Sequence, residues 1–138
     1  MRNVIIALGA GALALAGCAD TVDDNTGTAC ADFETAHDEL FSLSHNGKGD
    51  LTLEQWTAAK ADAVSAIDAA GLSTSNSDVK ERMVALASAI PVGTVKLMTS
   101  KSVAEEFNAN SAAVVRACEA ANSSIDVQEI AIDWFMGP

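Results

Sequence analysis

Apolar positions recur along most of this chain at intervals of three and four residues, the period of one helix face. The first such stripe is Cys30, Phe33, His37, Leu40 and Phe41, with Asp32, Glu34, Asp38 and Glu39 lying off it. It predicts a helix that starts near Thr28 or Ala29 and ends in Ser44-His45-Asn46-Gly47-Lys48-Gly49, where glycines break the repeat. A second helix is expected from Thr52, whose hydroxyl can cap it while Gln55 reaches back, the reciprocal arrangement of a capping box. Its stripe runs through Leu53, Trp56, Lys60 or Ala59, Ala63, Ile67 and Ala70, and Gly71 reads as a left-handed stop with Leu72 packing back. Ser73 to Ser77 is a polar loop ending in a cap, and Val79, Met83, Leu86 and Ile90 mark a third helix that Pro91 stops or kinks.

Val92 to Ser100 carries opposed signals: Gly93 and Thr94 favour a loop, whereas Val95, Leu97 and Met98 need burial. Ser102 and Glu105 read as the capping box of a fourth helix with Val103, Phe107, Ser111, Val114, Cys118 and Ala121 on one face. Asn122-Ser123-Ser124 ends it. In the last stretch, Val127, Ile130, Ala131 and Trp134 suit a short helix laid across the others; a strand is the alternative, with no evident partner strand. The expected fold is therefore all-α: a small four-helix bundle-like domain over residues 30–138 with a short C-terminal helix.

The chain begins differently. Met1-Arg2-Asn3 precedes an apolar run from Val4 to Leu15, which fits a secretory signal peptide. The run falls short of the roughly 20 apolar residues that span a bilayer. It closes on Leu15-Ala16-Gly17-Cys18, and this quartet resembles the lipobox of bacterial lipoproteins. The resemblance implies that residues 1–17 are removed, that Cys18 is acylated and becomes the first residue, and that the domain sits in the bacterial cell envelope, facing the exported side. An ordinary secretory signal with an incidental Cys18 is the other reading. Residues 18–29 are acidic and almost free of large apolar side chains, and read as a flexible tether.

Loss of Arg2 with the leader takes the net charge from −11 to −12. A surface that acidic would repel nucleic-acid phosphates and anionic headgroups, so contact with the bilayer is expected through the acyl group of Cys18 alone. Assigning Cys18 to lipid leaves Cys30 and Cys118, and an exported pair without other partners is most simply a disulfide. An up-down-up-down bundle places the start of its first helix beside the end of its fourth, where these two cysteines fall. A buried pair of free thiols is the alternative.

Leu40 to Trp56 looks like an EF-hand: helix, loop with Gly49 at the sixth position and Leu51 at the eighth, then helix. On that alignment the loop runs from Ser44 to Gln55, and it fails where calcium needs ligands. Ser44 replaces the first Asp, Lys48 stands at the fifth position and Gln55 at the twelfth. A degenerate or accidental helix-loop-helix is expected, with no metal bound.

The catalytic inventory is thin. His37 and His45 are not spaced as a helical zinc pair, and His37 reads as a partly buried structural residue. No G-x-S-x-G elbow, Walker pattern or dinucleotide glycine pattern occurs, and no carboxylate pair stands out as an acid/base couple. Neither enzyme activity nor a cofactor is expected. Trp56 and Trp134 read as core anchors, although Trp134, Phe135 and Met136 could instead form an exposed contact patch. The functional expectation is an anchored lipoprotein whose helical domain binds a protein or envelope component. Its alternative is a lipoprotein encoded by a virus of bacteria that blocks superinfection, by analogy of layout alone; a calcium module and an enzyme rank lower.

Overall fold

The Thr52 cap forms as its sequence predicts. Thr52 Oγ1 accepts from Gln55 N at 3.2 Å, and Gln55 Oε1 accepts from Thr52 N at 2.9 Å. Two orphan amide donors at the helix start are thereby satisfied. The computed structural model describes residues 24–91 and 96–132. Within them lie α1 (Thr26–His45), α2 (Leu53–Ser73), α3 (Ser77–Ala89), the single turn α4 (Lys96–Thr99) and α5 (Lys101–Ala120). The domain is all-helical, and the four long helices are packed around one apolar core.

The predicted stripes form that core. Phe33, Ala36 and Leu40 of α1 meet Ala63 and Ile67 of α2, Val79, Met83 and Leu86 of α3, and Phe107 and Val114 of α5. Leu97 of α4 is buried in the same cluster, so the burial required by the Val92–Ser100 stretch is met partly by a helical turn. Trp56 is buried, and its indole Nε1 donates to Leu43 O at 2.7 Å, tying the start of α2 to the end of α1.

Several sequence expectations need correction. α1 starts at Thr26, so the last residues assigned to the 18–29 tether are its first turn. Composition counts large apolar side chains, whereas this turn is held by polar contacts. Thr26 Oγ1 meets Thr74 Oγ1 at 3.2 Å, Asp24 Oδ1 accepts from Thr26 N, and Asn25 bonds to Ser73 O and Ser75 N. The Thr26 donors beside Asp24 hold its carboxyl below the usual range.

Gly71 does not stop α2, which runs on to Ser73. The left-handed glycines are Gly47 and Gly49 in the α1–α2 loop. Gly71 instead permits close helix approach: a Cβ there would lie 2.8 Å from Met83 Cβ on α3. Leu72 is 60% exposed rather than folded back.

The Ser102–Glu105 capping box is absent because α5 begins earlier, at Lys101 after Ser100. Ser102 is already helical, and its hydroxyl pairs with that of Ser100 at 3.2 Å. The expected C-terminal helix does not form in residues 123–131, which run extended along α5 and α1. That segment is designated the strap below. Its backbone is satisfied by side chains instead of by a helical ladder. Asn108 Nδ2 donates to Ile130 O at 2.8 Å, Ile130 N donates to Asn108 Oδ1 at 2.9 Å, and Asp126 N donates to Glu34 Oε1 at 3.0 Å.

Candidate functional site

Cys30 and Cys118 come together at disulfide distance, with their sulfurs 2.08 Å apart and a sequence separation of 88. Both are fully buried, one in the second turn of α1 and the other in the last turn of α5. Two helical turns further along the same antiparallel seam, His37 Nε2 and Ser111 Oγ are 3.0 Å apart, a hydrogen bond. The step from Cys30 to His37 equals the step from Ser111 to Cys118, so the covalent and polar links share one register. A single polar pair in an apolar seam penalises any slipped alignment, because slipping leaves both groups buried without partners.

His37 is fully buried rather than partly so. Its ring stacks on Phe107 with centroids 5.0 Å apart and tilts against Phe33 at 5.6 Å. Desolvation lowers its pKa to about 4, which keeps the imidazole neutral at physiological pH. Its other nitrogen, Nδ1, has no hydrogen-bond partner, and Asp38 Oδ1 stands 3.9 Å away, also without one. The Asp38 side chain is half exposed: one oxygen turns inward and the rest faces solvent. Burial, followed by repulsion from Glu34 and Asp126, raises its pKa above the ordinary value.

Ser111, His37 and Asp38 thus juxtapose the residue types of a nucleophilic triad, a grouping that sequence spacing hides. Ser111 also lines an open cleft with Asn108, Arg116, Asp126 and Glu129. Two features of an acyl-transfer triad are missing from this arrangement. A base must be oriented by a hydrogen bond to its carboxylate and hold a pKa near the working pH. Here the carboxylate is beyond hydrogen-bond reach and desolvation holds the imidazole far below neutrality. Of the trio, His37 and Ser111 are buried and hydrogen-bonded to each other, while Asp38 is half exposed.

The helix-loop-helix at residues 44–55 is present, with Gly47 and Gly49 both at positive φ, 68° and 51°. Its chemistry is that of a loop carrying its own cation. Lys48 Nζ lies 3.5 Å from Gly49 O and 3.4 Å from Leu51 O, over the loop carbonyls. Gln55, at the twelfth EF-hand position, turns its amide oxygen back to Thr52 N and so serves the cap. Among the described residues no group of three or more His, Cys, Asp or Glu side chains is placed to hold a metal ion. Lys60, the other cation singled out by its stripe position, is buried with its ammonium 3.6 Å from the centroid of the Trp56 ring.

Cys18 and the Trp134-Phe135-Met136 patch lie outside the described residues. No described helix is long and apolar enough to cross a membrane. Comparisons with protein-family models, curated proteins and solved structures give no match.

Proposed function

We propose that this chain is an exported lipoprotein, anchored through acylated Cys18, whose helical domain binds a protein or another envelope component. The observation that carries the reading is the Cys30–Cys118 pair at bonding distance. Disulfides persist in oxidising, exported compartments and are rare in the reducing cytosol. That pair lies in the same chain as a Leu15-Ala16-Gly17-Cys18 quartet of lipobox type, and the two features agree on compartment. α1 starts at Thr26, only a few residues beyond Cys18, so an anchor there would hold the α1-start/α5-end pole of the bundle toward the bilayer. The α1–α2 loop would then point away from it, about 30 Å off along a 20-residue helix.

An acidic domain in this orientation suits recognition of a partner with a basic or polar face. The test is crosslinking of the intact anchored protein in cells, followed by identification of the attached species. A specific partner captured by the wild type and lost in Cys18→Ser supports the reading. Equal capture by a non-anchored Cys18→Ser variant would refute the role of the anchor.

A further inference from the structure

The strap, residues 123–131, is fastened in an unusual way for the last described part of a helical domain. Past the Ser123 N to Cys118 O bond that closes α5, its described hydrogen bonds run to side chains: the Asn108 amide on α5 and the Glu34 carboxylate on α1. One side chain, Ile130, is buried, while Ile125 and Val127 pack partly against the core. Such a segment has little local stability of its own, so it can detach while the four-helix core stays folded.

What it crosses is the seam holding His37. Asp126, Val127 and Glu129 of the strap line one cleft with Ser111, the hydrogen-bond partner of His37. Asp38, whose Oδ1 faces His37 Nδ1 at 3.9 Å, is close enough to Asp126 for the two carboxylates to repel. The strap bridges the seam between Glu34, one turn before His37 on α1, and Asn108, one turn before Ser111 on α5, while Nδ1 and the inward Asp38 oxygen are buried without partners. A proton on Nδ1 has no acceptor within hydrogen-bond reach while the strap is seated, and water would supply one once the strap lifts.

The charged groups along this part of the seam and its cleft come from three elements. Glu34 and Asp38 belong to α1, Arg116 to α5, and Asp126 and Glu129 to the strap. The α2 and α3 residues of the core cluster are apolar, and the buried cation of α2, Lys60, sits over Trp56. Loss of water on burial is the cause that sets the low proton affinity of His37.

We propose that residues 123–131 form a detachable strap whose seating excludes a proton from His37, so that strap release and proton uptake at His37 are one coupled event. Acidification below neutrality then lifts the strap from the α1–α5 seam and removes one wall of the cleft bearing Ser111 and Arg116, changing the surface that the domain offers. The coupling is reciprocal, as any linkage must be: whatever lifts the strap raises the proton affinity of His37.

The experiment is NMR on the full domain. The His37 ring is titrated while exchange of the Ile130 amide, whose proton is held by Asn108, is followed with correction for intrinsic exchange. In the wild type, opening at Ile130 rises tens-fold between pH 6.5 and pH 4.5, while amides of Phe33 and Val114 keep their protection. Asn108→Ala frees the strap from α5, and Ile130→Asp expels its buried side chain. In either variant whose Ile130 amide has lost protection with the core intact, the proton affinity of His37 rises at least tenfold. Two results would overturn the proposal: an unchanged His37 titration in a variant with the strap released, or wild-type opening at Ile130 that does not depend on pH or coincides with loss of core protection.

Discussion

His37 is the residue on which stability depends most directly through pH. Its pKa is about 4 in the folded chain against an ordinary 6.5, so between those values the unfolded chain binds more protons than the folded one. The stabilisation due to a neutral His37 is complete above about pH 6.5, declines as pH falls, and is gone below about pH 4. Its size is about 3 kcal/mol at neutral pH, from the difference between the two pKa values. The raised pKa of Asp38 contributes with the opposite sign, since a carboxyl that protonates more readily when folded adds stability in acid. Comparison with His37→Leu isolates the histidine. Urea unfolding at pH 7 and pH 4 should show the wild type losing about 3 kcal/mol more than the variant, and equal losses would refute this account. Gly71 gives a second prediction at this scale. Alanine is the better helix former by roughly 1 kcal/mol, but its Cβ would meet Met83 Cβ at 2.8 Å. Forcing α2 and α3 apart costs about 1–3 kcal/mol, so Gly71→Ala should lower the urea midpoint.

Among the elements, the α1–α2 connection was the most legible in the sequence. Thr52 and Gln55 state the cap in two residues, and both hydrogen bonds form. Thr52→Ala should cost about 1 kcal/mol of stability in denaturant unfolding. The same residues argue against calcium chemistry in this EF-hand outline. Gln55 is committed to the cap, Lys48 lies over the loop carbonyls, and Asp50 is the sole carboxylate between Ser44 and Thr52. Calorimetric titration of the soluble domain should show no saturable calcium binding in the submillimolar range. Lys48→Asp combined with Gln55→Glu is the gain-of-function control.

Stripes with large side chains located the long helices, because Phe33, Ile67, Met83 and Phe107 cannot be left in water. Ends set by small or polar groups were harder to read. Gly71 has the same sequence signature whether it terminates a helix or admits a neighbouring one, and only the position of Met83 decides. Val127 and Ile130 carry helical spacing, yet Asn108, some twenty residues away, claims the backbone of Ile130 for an extended path. The His37–Ser111 bond is likewise invisible to local pattern, since it spans 74 residues. Both residues did lie on the apolar stripes of their helices, the one signal that placed them inside.

For the whole molecule the decisive feature is the closure of α1 onto α5. A Cys30–Cys118 bond encloses most of the domain in one loop and contributes roughly 4–5 kcal/mol in the chain-entropy model. Domains of this size are stable by about 5–15 kcal/mol in total, so reduction should lower the thermal midpoint by many degrees. The His37–Ser111 pair would then be the remaining specific link of that seam, and the reduced protein should be more sensitive to acid than the oxidised one. Thermal melts at pH 7 and pH 5, with and without reductant, measure both effects.

Export with a lipid anchor is tested most directly by intact mass spectrometry of the protein taken from membranes under nonreducing conditions. The predicted species begins at Cys18, carries acyl chains on that residue, and has lost two hydrogens to a Cys30–Cys118 bond. A chain that retains residues 1–17, has an unmodified Cys18, or has two alkylatable thiols at Cys30 and Cys118 would contradict it.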